Sequence, residues 1–224
     1  MLQTHQYFHA LVKETPLFPV MGKWLNSKNA EAIQLAEVLE EAAVDIDEPE
    51  AFQSWIDQQC KKGYAYGGYL EKRDVYAKSA VFRSSEKARN IHLGIDVWCP
   101  AKTPLFAPMA AKVVSKNNLI AKGDYGGVLI LEHNIKEQIF YTLYGHLTYD
   151  SIPFNPGDQI SAGEQIAELG DWSENGGWPP HLHFQIMFDL ENYENDYPGV
   201  CFEDEQEKFQ KNCPNPIQFL VAQA

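Results

Sequence analysis

Two short stretches carry side chains whose types and spacing suit metal chemistry. In HLHFQIMF, His181, His183 and Gln185 fall on one face of a strand, and Leu182, Phe184 and Ile186 fall on the other. One face suits a site and the other a core. Two imidazoles about 6.6 Å apart along a strand can reach one small volume, one as a metal ligand and one as an acid or base. In HLGID, a fully extended strand would hold the α-carbons of His92 and Asp96 about 13 Å apart, too far to share an ion. A bend or bulge at Gly94, which tolerates unusual dihedrals, brings them together. One carboxylate and two imidazoles from separate strands then make three ligands with an open position, the inventory of a catalytic zinc.

Other candidates are weaker by residue type alone. His146 ends the apolar strand FYTLYGHL on a Gly-His pair, where an imidazole would as readily hydrogen-bond a turn. His5, His9 and His133 lack ligand spacing and are assigned no role. In YLEKRDVY, a strand would alternate Tyr69, Glu71 and Arg73 onto one face opposite Leu70 and Lys72. That face is either a solvated edge or a wall of the metal groove. In the second case the planar fork of Arg73 suits a substrate carboxylate or phosphate.

These residues need elements to position them. Residues 28–62 read as two helices, the first carrying Ile33, Ala36, Leu39 and Ala42 at helical spacing. The second is capped by Asp47, has Pro49 in its first turn, buries Phe52, Trp55 and Ile56, and ends at Gly63. From Tyr64 the pattern turns to short strands at 105–115, 128–132, 138–144, 165–169 and 181–188, separated by Gly- and Pro-rich turns. The expected organisation is a helical N-terminal extension (1–63), a β-rich domain (64–190) and a C-terminal tail (191–224) that packs on it. The fold class is mainly β, α+β overall, with an antiparallel sandwich or barrel-like core.

Composition narrows the partners. A formal charge of −13 repels polyanions and argues against nucleic-acid binding, and no apolar run approaches membrane-spanning length. The N-terminus shows no basic segment followed by an apolar one, which leads to an expectation of a soluble, cytoplasmic protein. The four cysteines lack CxxC spacing and read as buried apolar residues, with a Cys201–Cys213 bridge as an alternative that requires an oxidising location.

HLGID, YGHL and PPHLHFQI, in that order and at those separations, resemble the lysostaphin-type zinc metallopeptidases, many of which cut cross-bridges or stem peptides of bacterial cell walls. The resemblance covers about Arg89 to Phe188 and includes APxxAxVV (107–114), DYGGVLILEH and FNPGDQISAGEQIAELGD. It implies one zinc per chain held by His92, Asp96 and His183, with His146 and His181 as the two catalytic histidines that do not bind metal. It also implies a groove across one face of a β-sandwich, and hydrolysis of a peptide or amide bond by metal-activated water. Two departures stand out: ENGGWP precedes Pro180 where a Ser-Thr-Gly stretch is usual, and Gln185 replaces an acid. This GGWPPHLHFQ variant, with YLEKRDVY upstream, is more similar to related domains fused to intracellular aminotransferases and kinases. Two alternatives to a peptidase acting on cell-wall peptides or fragments therefore stand: an intracellular zinc hydrolase of a small amide metabolite, and a non-catalytic metal-binding module.

Overall fold

The structure is a computed structural model that describes residues 2–42, 44–46, 48–73 and 87–222. Helix α1 (Leu2–Glu14) is followed by a short strand β1 (Ala30–Ala32), then α2 (Leu35–Ala42) and α3 (Pro49–Gln59). The β-rich part begins with β2 (Tyr64–Gly67), β3 (Ile91–His92), β4 (Ile95–Trp98), β5 (Pro104–Phe106) and β6 (Ala111–Leu119). It continues through β7 (Gly126–Ile135), β8 (Gln138–Leu147), β9 (Gln159–Ile160), β10 (Gln165–Glu168) and β11 (His181–Met187). The chain ends with β12 (Val200–Cys201), α4 (Gln206–Asn212) and a 3-10 turn at Pro216–Phe219.

An eight-stranded sheet runs β1-β2-β4-β11-β8-β7-β6-β9. Its neighbours are antiparallel except at one edge, where β1 lies parallel to β2, so the sheet is mixed. Two small antiparallel pairs, β5–β10 and β3–β12, accompany it. The protein is mostly β and α+β overall.

The two sheet faces do different work. Leu182, Phe184 and Ile186 of β11 join Val97, Leu129 and Tyr144 in the larger core, over which Phe8, Leu11 and Val12 of α1 and Phe219 of the C-terminal turn pack. On the opposite face, Val128, Ile130, Leu143 and Met187 pack with Tyr197, Cys201, Phe209 and Cys213 of the last thirty residues. That second cluster covers only part of the face, and the histidines occupy the rest. Leu35 and Leu39 of α2 and Phe52, Trp55 and Ile56 of α3 form a third cluster with Ala65 and Trp98 at the sheet edge.

Several expected boundaries move. Of the two helices expected over 28–62, the first is α2, which begins at Leu35 rather than near residue 28, because the Ile33 amide donates to the Tyr66 carbonyl and residues 30–32 pair with β2. Sheet-edge pairing there overrides helical spacing. Glu48 precedes α3 with no side-chain cap, and Asp47 lies outside the described residues. The single strand expected over 105–115 divides into β5 and β6, which belong to different sheets, with Pro108 between them. Helix α1 lies ahead of the two helices expected over 28–62, and Phe8, Leu11 and Val12 give it helical spacing.

All four cysteines are free, so Cys201 and Cys213 do not form the alternative bridge. Burial pushes both thiols up to about 12. His133 is a core histidine on β7, hydrogen-bonded to the Ala110 carbonyl and to Thr142. Among the described residues no helix is long and apolar enough to cross a membrane.

Candidate metal centre and catalytic histidines

Central strand β11 lies between β4 and β8, with His183 opposite Asp96 on one side and Gly145 on the other. This register alone puts one imidazole beside the carboxylate and beside the Gly-His pair. His92 arrives from β3 because the chain bends at Gly94 before β4 begins. The expected bend is present, but its physical reason differs. Gly94 does not adopt a left-handed φ; instead a β-carbon there would lie 2.7 Å from the Phe184 carbonyl oxygen and 2.8 Å from His183 Nε2. Only a hydrogen lets the strand pass this close.

The three donor atoms converge. His92 Nε2 and His183 Nδ1 are 2.9 Å apart, and Asp96 Oδ1 lies 3.2 Å from the first and 3.1 Å from the second. Tetrahedral zinc with bonds of about 2.0–2.1 Å separates adjacent donors by roughly 3.3 Å, so the triangle has the right size. Among the described residues this is the one group of three or more such side chains with metal-site geometry.

The outer hydrogen bonds fix where the protons sit. His92 Nδ1 donates to the Gly68 carbonyl (2.9 Å), and His183 Nε2 donates to Gln185 Oε1 (3.0 Å), whose own amide nitrogen donates to the Pro198 carbonyl. In the neutral rings, both inner nitrogens therefore carry lone pairs, pointed at each other and at a carboxylate. Burial, reinforced by Arg73, pushes His92 down to about 4, which favours that neutral form. For Asp96 burial alone would raise the pKa, but His92 and Arg73 outweigh it and hold the carboxyl well below its usual range. Three acceptors facing one another in a dry site repel unless a cation lies between them.

His146 and His181 stand beside this triad, their ring centroids 4.1 Å apart. His146 sits at a β-bulge, where the β7–β8 register shifts between Gly127 and Leu129, and its φ is 63°. Such strained backbone is characteristic of functional sites. Its Nδ1 donates to the Asn175 carbonyl (2.9 Å), while His181 Nδ1 donates to the Pro179 carbonyl (2.7 Å). Each ring thus keeps an unprotonated Nε2, and His181 Nε2 lies 3.9 Å from Asp96 Oδ1. Burial lowers both pKa values, leaving both rings neutral at pH 7.

The five residues open into a cleft of about 430 Å³. Leu35 and Phe52 from the helices wall it together with Trp98 and Trp178, and Tyr125 and Tyr197 line it elsewhere. The segment before the site departs from the expected strand. Leu70 has a φ of 55°, so Tyr69, Glu71 and Arg73 do not alternate onto one face. The Tyr69 hydroxyl donates to the Cys213 carbonyl, whereas Glu71 and Arg73 pair with each other and Arg73 also pairs with Asp96. Arg73 lines the cleft.

Two contributors were not assigned roles from the sequence. Gln185 orients His183, although its place on the same strand face as the histidines was visible. Asn175 is fully buried, and its side chain bonds Gly170, Gly177 and Trp178 while its carbonyl holds His146. Only the Asn-Gly-Gly turn hinted at it.

Residues 90–195 match the profile described as Peptidase family M23. The uncharacterized lipoprotein YgeR of Escherichia coli (strain K12) is 33% identical over 95 residues, covering 42% of this chain and 34% of that protein. The chain thus matches about a third of that relative's length. The catalytic domain of lysostaphin from Staphylococcus simulans is 22% identical, with 70% of this chain and 97% of that one covered and a TM-score of 0.41. A zinc-containing peptidase from Vibrio cholerae is 29% identical over 46% of this chain and 29% of its own, with a TM-score of 0.34. The candidate metal triad and both flanking histidines lie inside the matched stretch, and residues 90–195 are a domain of peptidase family M23.

Proposed function

We propose that the protein is a zinc metallopeptidase that hydrolyses a peptide bond in cell-wall peptides or their fragments, using His92, Asp96 and His183 as metal ligands and His146 and His181 on the substrate. The observation that carries this reading is the orientation of four imidazoles: each spends its outer N–H on a carbonyl or amide oxygen, leaving its other nitrogen as a lone pair at the cleft. Zinc bound there would polarise a scissile carbonyl and make hydroxide available near pH 7. No side-chain nucleophile is then needed.

The chain's own residues supply the proton handling. His181, neutral and next but one to a ligand, is placed to accept a proton from water through Nε2 and deliver it to the leaving amine. His146, at ring-contact distance, shares that proton work or donates to the developing oxyanion once protonated. Burial of both rings excludes bulk water, which strengthens these interactions. The matched proteins offer no support for a small-amide hydrolase.

The test is hydrolysis of purified murein peptides by the zinc-loaded full chain, read as new amino termini. New termini should appear, disappear with a chelator, and return on zinc addition. Stoichiometric zinc with no cleavage across stem and cross-bridge peptides would favour the metal-binding module instead.

A further inference from the structure

The metal centre does not end at the boundary of the family match. Both outer contacts that orient the β3–β4 ligands come from residues 68–73, ahead of residue 90 where the match begins. The more unusual of the two is ionic. Arg73 is 1% exposed, and its NH1 donates to Asp96 Oδ2 at 2.7 Å. Its Nε donates to Glu71 Oε2, also at 2.7 Å, and Glu71 Oε1 accepts from the Ala36 amide in the first turn of α2 at 2.9 Å. The path therefore runs from α2 through Glu71 and Arg73 to the carboxylate oxygen that does not face the histidines.

From this path we infer that Arg73 is a positioning residue for the metal centre, anchored by Glu71 to helix α2, and that it holds Asp96 so that Oδ1 alone faces the ligand triangle. The inference rests on the proposed zinc site. Its geometry follows from the guanidinium fork, which engages two carboxylates at fixed angles. A free carboxylate could rotate and offer both oxygens to a metal; with Oδ2 engaged by Arg73, Asp96 offers one, and the site stays open for water. The arrangement also leaves a site that attracts a cation. Two buried carboxylates beside one guanidinium would leave a net negative site, which a divalent cation reverses. Glu71 thus keeps Arg73 in place, and α2 keeps Glu71 in place, making the N-terminal helical region part of the metal centre.

Substituting Arg73 by Lys keeps a charge but cannot span both carboxylates, and Glu71→Gln keeps shape while removing the anchor's charge. Tyr69→Phe serves as a control: it removes the hydrogen bond to Cys213 from the same segment without touching the path. Zinc affinity of each purified full-length variant would be measured by chelator competition. The visible spectrum of the cobalt-substituted protein and the unfolding midpoint of the metal-free protein would be measured alongside. Arg73→Lys should weaken zinc about 10- to 100-fold, the usual cost of losing an outer contact. Glu71→Gln should weaken it in the same direction, both with altered cobalt spectra. Tyr69→Phe should leave affinity and spectrum as in the wild type, whatever it does to the midpoint. Unchanged affinity and spectrum in Arg73→Lys and Glu71→Gln, with a wild type that binds zinc, would overturn the positioning role alone. Equal weakening in Tyr69→Phe would overturn it too, by pointing to general loosening of the segment. A wild type that takes up no zinc would overturn both this inference and the proposed function.

Discussion

His181→Ala and His146→Ala should each retain one zinc per chain and lose about 10²- to 10⁴-fold in turnover of a murein peptide, the span ordinarily contributed by a positioned acid or base. The expectation follows from the hydrogen bonds rather than from proximity. His181 Nε2 is 3.9 Å from Asp96 Oδ1, beyond the 3.1–3.2 Å between that oxygen and the two ligand nitrogens, so removing its ring leaves the triangle intact. His146 bonds Asn175 through Nδ1, and none of its contacts is with Asp96 or His92 at ligand distance. Each alanine also leaves a carbonyl, that of Pro179 or Asn175, without its imidazole donor, which costs on the order of 1–3 kcal/mol of stability if water does not replace it. Zinc content by elemental analysis and initial rates on one peptide separate the two effects. Loss of metal in either variant would contradict the division between ligands and proton-handling residues.

Gly94→Ala should be worse for the metal than any substitution outside the triad. The added methyl would meet the Phe184 carbonyl oxygen at 2.7 Å and His183 at 2.8–2.9 Å. The carbonyl belongs to the central strand, paired with β4 and β8, and cannot retreat without pulling β11 from its neighbours. His183 would rotate instead, which breaks its bond to Gln185 and turns Nδ1 away from Asp96 and His92. Overpacking of this kind costs about 1–3 kcal/mol of stability, and zinc affinity should fall at least about 100-fold because a ligand is displaced, not merely loosened. Thermal unfolding with and without zinc reads both quantities. A Gly94→Ala protein with wild-type zinc affinity would show that the bend tolerates a side chain and that the close approach has no bearing on the site.

What could be read from the sequence was whatever repeats locally. The period-two alternation of HLHFQIM separated a site face from a core face because β11 is paired on both sides without a register shift, and the structure buries Leu182, Phe184 and Ile186 together. The bend in HLGID was legible from the distance constraint on His92 and Asp96. Its cause was not, since a close approach to Phe184, ninety residues later, leaves no local trace at Gly94. The same holds for Arg73. Alternation placed it on a strand face with Tyr69, but the left-handed Leu70 breaks that alternation, and the partner Asp96 lies 23 residues on. Edge strand β1 was missed because three residues carry too little pattern to compete with a helical reading of Ile33 and Leu39. Asn175 shows the limit most plainly: four hydrogen bonds converge on one side chain in a loop whose sequence announces only a turn.

The most direct test of the metal centre is the zinc content of the purified full-length protein beside that of His92→Ala, after zinc loading and removal of loosely bound metal. One zinc per chain in the wild type and none in His92→Ala is the expected result, because His92 Nε2 supplies one corner of a triangle whose other corners are Asp96 and His183. Stoichiometric zinc in His92→Ala, or none in the wild type, would contradict it.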